Sequence, residues 1–259
     1  MKTCNYFFGI EEVIKKYYSE FAGSIQNKSH SKALEYSSKI EELRKKACSF
    51  LGLSSSHFLT FQHNEYYIEK LIFNFLKNSK NLVIFTNKPY NLKTSRFENV
   101  FEIENIFEIE KVDLKNKIVL IWLIGLESLD KKIISQVNKL GGSCSSLFSY
   151  ISLDNIFFDS DESKKLLSEF SSISFNPSKL FHEYGTTFFW FKKEISLSPI
   201  FMGSNAAKLS SGDSLTVREL PYSLEIGTSN LISLLALEKI FSSISTEKLN
   251  FSFSSNCKF

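Results

Sequence analysis

The sequence of 259 residues predicts an α/β fold with a largely parallel sheet. Two observations lead to this prediction. Compact apolar runs with the length of buried strands alternate with longer segments of helical period. The clearest run, Ile118–Ile124 (IVLIWLI), is apolar on both faces, as central strands of parallel sheets are. With 43% hydrophobic and 23% charged residues, the chain also has enough apolar side chains for a sizeable core.

Three helices are predicted before the first clear strand. Residues 10–22 place their apolar side chains near helical spacing, and a second helix runs from about Ser31 to Phe50. Gly52 follows the second helix, where it can act as a C-cap. A short apolar piece, Phe58–Phe61, precedes the third helix at Glu65–Leu76.

The rest of the chain alternates between strands and helices. Strands are expected at Leu82–Thr86, Ile118–Ile124, Ser145–Ile151, Asn155–Phe158, Ile173–Phe175 and Thr186–Phe191, and helices at Leu129–Leu140, Asp161–Phe170 and Asn230–Ser243. The acidic stretch Glu98–Glu110 alternates at period two in places, which indicates an exposed strand pair. The last nine residues, FSFSSNCKF, are compatible with a short final strand.

Composition and charge exclude several functional classes. The net charge of +3 is spread along the chain, whereas nucleic-acid and membrane surfaces usually show basic clusters. No apolar run approaches the roughly 20 residues of a membrane-spanning helix, and the charged pair Glu11–Glu12 argues against a secretory signal. Cys4, Cys48, Cys144 and Cys257 are too widely separated for a zinc pattern. We therefore expect a reduced, cytoplasmic protein without a metal site.

Two segments carry motifs that are informative in combination. Ile173–Lys193 (ISFNPSKLFHEYGTTFFWFKK) contains a short apolar strand, a lysine, a Gly-containing turn and a second strand. Leu224–Ile240 (LEIGTSNLISLLALEKI) contains E-x-G-T-x-N before a helix. In this order and spacing they resemble the cysteine desulfurases of the class V aminotransferase group, which are pyridoxal-phosphate (PLP) enzymes of fold-type I. Lys179 falls at the family's cofactor lysine, and Thr228 at a threonine that contacts the phosphate of the partner subunit.

The resemblance implies an overall architecture. We expect the fold-type I large domain, a mostly parallel central sheet flanked by helices, with the C-terminal small domain largely missing. The corresponding division is an N-terminal helical segment at 1–55, the large domain at 56–245 and a short remnant at 246–259.

The resemblance also implies a set of cofactor-binding residues. The family's Gly-Ala-Thr-Glu turn falls on Gln62–Glu65, where His63 and Asn64 are candidates for the phosphate. Tyr90 is the nearest aromatic residue to the position of the family's ring-stacking histidine. Ser178 immediately precedes Lys179, in Asn176–Pro177–Ser178, which replaces the family's Ser-Gly-His. With Lys179 as the catalytic residue, the predicted set is Lys179, Thr228, Ser178, His63, Asn64 and Tyr90.

Several departures from the family pattern affect catalysis. The family's Asp-x-x-Gln falls on Phe148–Ile151, so that Phe148 replaces the acid that faces the ring nitrogen and Ile151 replaces the glutamine. The family's persulfide cysteine belongs to the C-terminal subdomain, and Cys257 has no counterpart there.

Three functions remain open from the sequence. The first is a shortened PLP enzyme of the desulfurase or aminotransferase type. The second is a non-catalytic relative that binds a complete desulfurase or a sulfur-transfer protein. The third is a protein that binds PLP without turnover. A homodimer is implied if the role of Thr228 carries over. The leading prediction is a desulfurase-like protein with reduced or lost catalysis.

Overall fold

The structure is a computed structural model. It describes residues 7–20, 31–79, 81–87, 100–102, 113–125, 144–154, 156, 161–178, 185–201, 206–209, 215–227 and 230–246. The chain forms two compact units, one made of Met1–Phe50 with Ile232–Phe259 and the other of Leu51–Leu231. The division at residues 55 and 245 expected from the sequence stays a prediction.

Helices and strands alternate along most of the described chain. In chain order the elements are α1 (Phe7–Glu20), α2 (Ser31–Phe50), β1 (His57–Gln62), α3 (Glu65–Leu76), β2 (Leu82–Thr86), β3 (Val100–Glu102), β4 (Ile118–Ile124), β5 (Ser146–Leu153), α4 (Asp161–Glu169), β6 (Ser172–Phe175), β7 (Thr187–Lys192), β8 (Ala207–Leu209), β9 (Leu215–Val217), a 3₁₀ turn (Tyr222–Leu224) and α5 (Leu231–Thr246).

The smaller unit is held by contacts between α2 and α5. On α2, buried side chains recur at helical spacing, among them Ala33, Tyr36, Ile40, Leu43 and Ala47. Lys46 Nζ donates to Glu238 Oε1 at 2.9 Å and to Ser242 Oγ at 2.7 Å. The rings of Phe50 and Phe241 meet edge to face at 5.8 Å. These contacts join segments that are nearly 200 residues apart in the sequence.

A seven-stranded sheet forms the centre of the larger unit. The strand order is β1-β7-β6-β5-β4-β2-β3. Strands β6, β5, β4, β2 and β3 pair in parallel, and β7 is antiparallel to both of its neighbours. Strand β1 therefore runs in the same direction as the parallel strands. The carboxyl ends of six strands consequently lie at one edge of the sheet, which confirms the predicted mostly parallel architecture. Strands β8 and β9 form a separate antiparallel pair.

One face of this sheet packs against α3. Ile68, Leu71, Ile72 and Leu76 of the helix form a buried cluster with side chains of the strands, which include Leu120, Trp122, Phe148, Tyr150, Phe189 and Phe191. The Trp122 ring stacks on Phe73 with a centroid distance of 5.2 Å and an angle of 6°. Burial of these large aromatic rings is a major source of stability for the sheet.

Most of the predicted elements are confirmed, several of them to the residue. Strand β1 occupies the apolar piece that was expected at Phe58–Phe61. Strand β5 extends to Leu153. A further strand was expected at Asn155–Phe158, and its one described residue, Ile156, lies outside any strand. The described part of Glu98–Glu110 is β3, which pairs with β2 in parallel. The helix expected at Leu129–Leu140 and the final strand lie outside the described residues.

Candidate functional site

Polar residues collect at the edge of the sheet where the parallel strands end. Ligands of open α/β sheets bind outside the carboxyl ends of the strands, which makes this edge the candidate site. The residues that end or directly follow these strands include Gln62, His63, Asn64, Asn87, Asp154, Asn176 and Ser178. The ends of β2 and β4 are fixed together there by Asn87, which donates to Ile124 O at 2.8 Å and accepts from Ile124 N at 2.9 Å.

The first turn of α3 starts at this edge. Asn64 is its N-cap, and Asn64 Oδ1 accepts a hydrogen bond from Tyr67 N at 2.9 Å. Helix N-termini favour anions because their first N–H groups lack helical acceptors and the helix dipole is positive there. Since the Asn64 oxygen is used in capping, its Nδ2 group is the part that can donate to a phosphate. The turn at Gln62–Glu65 thus has donors that suit a phosphate.

The segment that carries the second motif is bound to the end of β1. Three hydrogen bonds connect them, from Phe61 N to Glu225 Oε1 at 3.0 Å, from Gln62 Nε2 to Leu224 O at 3.1 Å, and between His63 Nε2 and Ile226 O at 2.9 Å. Because a carbonyl can only accept, His63 Nε2 carries the proton of the last bond. In a neutral His63, Nδ1 is then an acceptor, so this ring donates to a phosphate only when it is protonated.

The end of the second motif also approaches Gly185, the second residue before β7. Gly185 has a φ of +87°, and a Cβ at this position would lie 2.6 Å from Asn230 Nδ2. Only glycine fits both the backbone conformation and this close approach. Asn230 is one of the residues that matched the family motif, so the two motif-bearing segments contact each other here as well.

The loop that follows β6 begins with a local turn. Asn176 Oδ1 accepts from both the backbone N of Ser178, at 3.0 Å, and its hydroxyl, at 2.7 Å. The Ser178 hydroxyl proton is therefore used within the turn, and its oxygen is left as an acceptor. Lys179, Thr228, Tyr90 and Cys257 lie outside the described residues.

The expected position of the acid on β5 is wrong. Phe148 is the third of the eight residues of β5, and its buried side chain packs among core aromatic rings. At about 3.3 Å per residue, it lies roughly 16 Å before the end of the strand. Ile151 is likewise buried within the strand. The resemblance placed the family's Asp-x-x-Gln motif too close to the start of β5, because the strand contains no acidic residue that would show where the motif lies. The carboxylates at this edge are instead those of Asp154, directly after β5, and Glu65.

Glu65 was noted in the sequence only as a retained family residue. In the structure its Oε1 accepts from Ser152 Oγ at 2.9 Å, near the end of β5. One turn later on α3, the pKa of Glu69 is raised, first by burial and then by the negative charge of Glu65. The pKa of the fully buried Tyr150 hydroxyl is raised by burial, and its hydrogen bond to Ser174 offsets this only in part. An acid after an apolar run, as in Asp154, is the sequence signal that could have indicated a carboxylate at this edge.

The described residues suit PLP in two respects. The start of α3 and the Asn64 amide fit a phosphate, and Glu65 with Asp154 fits a protonated ring nitrogen, for which PLP enzymes supply a charged partner. Among the same residues, no group of three or more His, Cys, Asp or Glu side chains could hold a metal ion. No described helix has both the length and the apolar character needed to span a membrane.

Comparison with known proteins gives matches to solved structures only. No protein-family model and no curated protein matches the chain. It is similar to a cysteine desulfurase from Thermococcus onnurineus NA1, with a TM-score of 0.70 and 16% identity over 92% of this chain. A NifS-like protein from Rickettsia africae gives a TM-score of 0.67 at 16% identity, also over 92%. A phosphoserine aminotransferase from Cytophaga hutchinsonii gives 0.59 at 11% over 91%.

The matched region is only part of the similar proteins. The chain spans 64% of the length of the Thermococcus protein, 65% of the Rickettsia protein and 67% of the Cytophaga protein. Similarity at these identities concerns the fold alone. The chain therefore has the fold of the fold-type I PLP enzymes, in the form found in cysteine desulfurases, as the resemblance of its motifs predicted.

Proposed function

We propose that this chain is a PLP-binding protein of the cysteine desulfurase type in which removal of sulfur from cysteine is reduced or lost. The observation that supports PLP binding most directly is the His63–Ile226 hydrogen bond of 2.9 Å. It joins the Leu224–Ile240 motif to the Gln62–Glu65 turn, which falls at the position of the family's phosphate-binding turn, although the two residues are 163 positions apart in the sequence.

The residues of the chain have distinct roles in this proposal. When bound, PLP supplies an electron sink for carbanion charge on an amino-acid substrate. Lys179 Nζ holds the cofactor and transfers a proton at the α-carbon of the substrate. The N–H groups at the start of α3 and the Asn64 amide hold the phosphate, together with Thr228 from a second copy of the chain, whereas both donors of Ser178 are used by Asn176 Oδ1. Tyr90 packs against the ring, and His63 holds the turn in place.

We propose reduced catalysis because the residues that sulfur transfer needs depart from the family pattern in this chain. The His63 Nε2 proton is committed to Ile226 O. Cys257, the one cysteine near the C-terminus of the sequence, lacks the family's surrounding motif. A persulfide on this residue is therefore not part of the proposal.

A cofactor-binding experiment tests the proposal. The purified protein with added PLP should show the visible absorbance of lysine-bound PLP, and borohydride reduction should fix the label on the peptide that contains Lys179. Lys179→Ala should lose both signals, whereas Lys165→Ala, which changes an exposed lysine of α4, should keep them. A colourless wild-type protein, or a label elsewhere, would contradict PLP binding at Lys179. If PLP binds, the rate of sulfide release from cysteine, compared with Cys257→Ala, measures how much desulfurase activity remains.

A second candidate is a non-catalytic partner of a complete desulfurase or a sulfur-transfer protein. Two large apolar side chains favour it, because Tyr66 is 64% exposed and Phe201 is 65% exposed. Their sequence neighbours Tyr67 and Ile200 pack against the same core cluster. Large exposed apolar side chains are found at protein-binding surfaces. This function would be supported if the wild-type chain co-purifies with a desulfurase and the double variant Tyr66→Ser/Phe201→Ser does not. A stable lone homodimer that captures neither partner would count against it.

A further inference from the structure

The order of the strands places a topological switch point between β2 and β4. The chain leads from β2 to β3 on one side of this pair, and from β4 to β5 on the other side. Ligands of open α/β sheets bind in the crevice that opens at such a point, outside the carboxyl ends of the two strands. Because β5 lies next to β4 in the sheet, this crevice is close to the end of β5, where α3 begins.

Asn87 lies at this crevice, directly after the last residue of β2. Its Nδ2 donates to Ile124 O at 2.8 Å, and its Oδ1 accepts from Ile124 N at 2.9 Å. Since Thr86 pairs with Trp122, a longer β2 would bind these two groups of Ile124 through its own backbone. The Asn87 amide takes the place of that backbone, so the end of β4 stays bound to β2 although the strand pairing ends at Thr86.

The end of β4 is also held on its other side. Gly125 N donates to Ser152 O of β5 at 3.1 Å, and Ser152 Oγ donates to Glu65 Oε1 at 2.9 Å. Gly125 has a φ of +69°, a conformation that favours glycine, so the chain leaves strand geometry immediately after Ile124. A continuous line of hydrogen bonds therefore runs from Asn87 through the end of β4 to the first residue of α3, next to the candidate phosphate site.

We infer that Asn87 is a positioning residue for the amino-acid substrate. The inference rests on the proposed function, because it requires that PLP is bound. A ligand that has its phosphate at the start of α3 and also occupies the switch point extends from β5 toward β2. The crevice therefore receives the part of the ligand that is remote from the phosphate, which is the amino acid. Ile124 and Gly125 form one wall of the crevice, and Asn87 fixes this wall through its two hydrogen bonds to Ile124.

The test compares the dissociation constant of PLP with that of L-alanine for the PLP-loaded protein. L-alanine keeps the amino and carboxyl groups of cysteine but has no thiol, and its binding is followed as a change in the visible spectrum of the bound PLP. Asn87→Ala removes both hydrogen bonds to Ile124, so the dissociation constant of L-alanine should rise by about tenfold, whereas that of PLP should change by less than about twofold. Asn87→Asp keeps an acceptor for Ile124 N but loses the donor, and it should show a smaller effect of the same kind even if Asn87→Ala fails to fold.

Asn81→Ala is the matched control. Asn81 directly precedes β2, and its Nδ2 donates to Asn116 O at 3.4 Å at the opposite edge of the sheet. This variant should change neither dissociation constant, because that edge is remote from the switch point. The inference is overturned if the Asn87 variants leave L-alanine binding unchanged, if they weaken PLP and L-alanine binding by the same factor, or if Asn81→Ala has the same effect as Asn87→Ala. Failure of the PLP-loaded wild-type protein to bind L-alanine would also overturn it, whereas failure of the wild-type protein to bind PLP would overturn the proposed function itself.

Discussion

The junction between β1 and the second motif segment gives the sharpest test of the site's architecture. Glu225 is only 8% exposed, and its Oε1 accepts the backbone N–H of Phe61, a residue that is 6% exposed. Glu225→Ala removes the acceptor and leaves this N–H buried without its partner. Hydrogen bonds to charged groups contribute about 1.5–3 kcal/mol, so we expect the free energy of unfolding to fall by about 2 kcal/mol.

Glu225→Gln is the matched variant for this test. Its amide oxygen can still accept from Phe61 N, so we expect a loss below about 1 kcal/mol. Urea unfolding measures the stability of both variants, and hydrogen exchange measures protection at the Phe61 amide. In Glu225→Ala, exchange at this amide should accelerate by roughly 30-fold, which corresponds to 2 kcal/mol. The reasoning is refuted if the alanine variant lies within about 0.5 kcal/mol of wild type, or if both variants lose the same amount.

Three further predictions concern the backbone, pH and the core. Gly185→Ala should lower the melting temperature more than Gly227→Ala, because both glycines have a positive φ but only a Cβ at Gly185 would clash with Asn230 Nδ2. The positive φ by itself should cost an alanine about 1–2 kcal/mol of stability at either position. Equal losses in the two variants would contradict the clash. Burial lowers the pKa of His57, and its hydrogen bond to the Phe170 carbonyl offsets this only in part, so the unfolded chain binds a proton more readily and stability should fall as the pH drops below about 6.5. Urea midpoints should show a weaker decline in His57→Gln, and an equal decline in this variant would contradict the role of His57. Phe148→Ala should cost about 3–5 kcal/mol in urea unfolding, because Phe148 is 4% exposed, and a loss below about 1 kcal/mol would contradict its place in the core.

Local patterns were sufficient for most individual elements. Helix α3 (Glu65–Leu76) and strands β2 (Leu82–Thr86) and β4 (Ile118–Ile124) have the bounds expected from apolar period and from flanking polar residues. Strand β1 was less clear, because a six-residue segment with five fully buried positions has no alternation to distinguish a strand from a short helix. Its pairing with β7, which lies far away in the sequence, determines its conformation.

The candidate site was only partly predictable. The motifs placed His63, Asn64 and Ser178 at strand ends, and the structure brings all three to the same edge of the sheet. The hydrogen-bond partners of these residues were not predictable from the sequence. Capping at Asn64 and the turn at Asn176 use some of the groups that had been expected to bind a phosphate.

The sequence by itself determined the α/β class, the limits of most elements and the resemblance to cysteine desulfurases, because these depend on the spacing of neighbouring residues. Only the tertiary structure decided the strand order, the register of β5 and the contacts that build the site. The Ser152–Glu65 and Phe61–Glu225 hydrogen bonds join residues 87 and 164 positions apart. Such contacts depend on which strands become neighbours in the sheet, and one shift of β5 along its neighbours would separate Glu65 from Ser152.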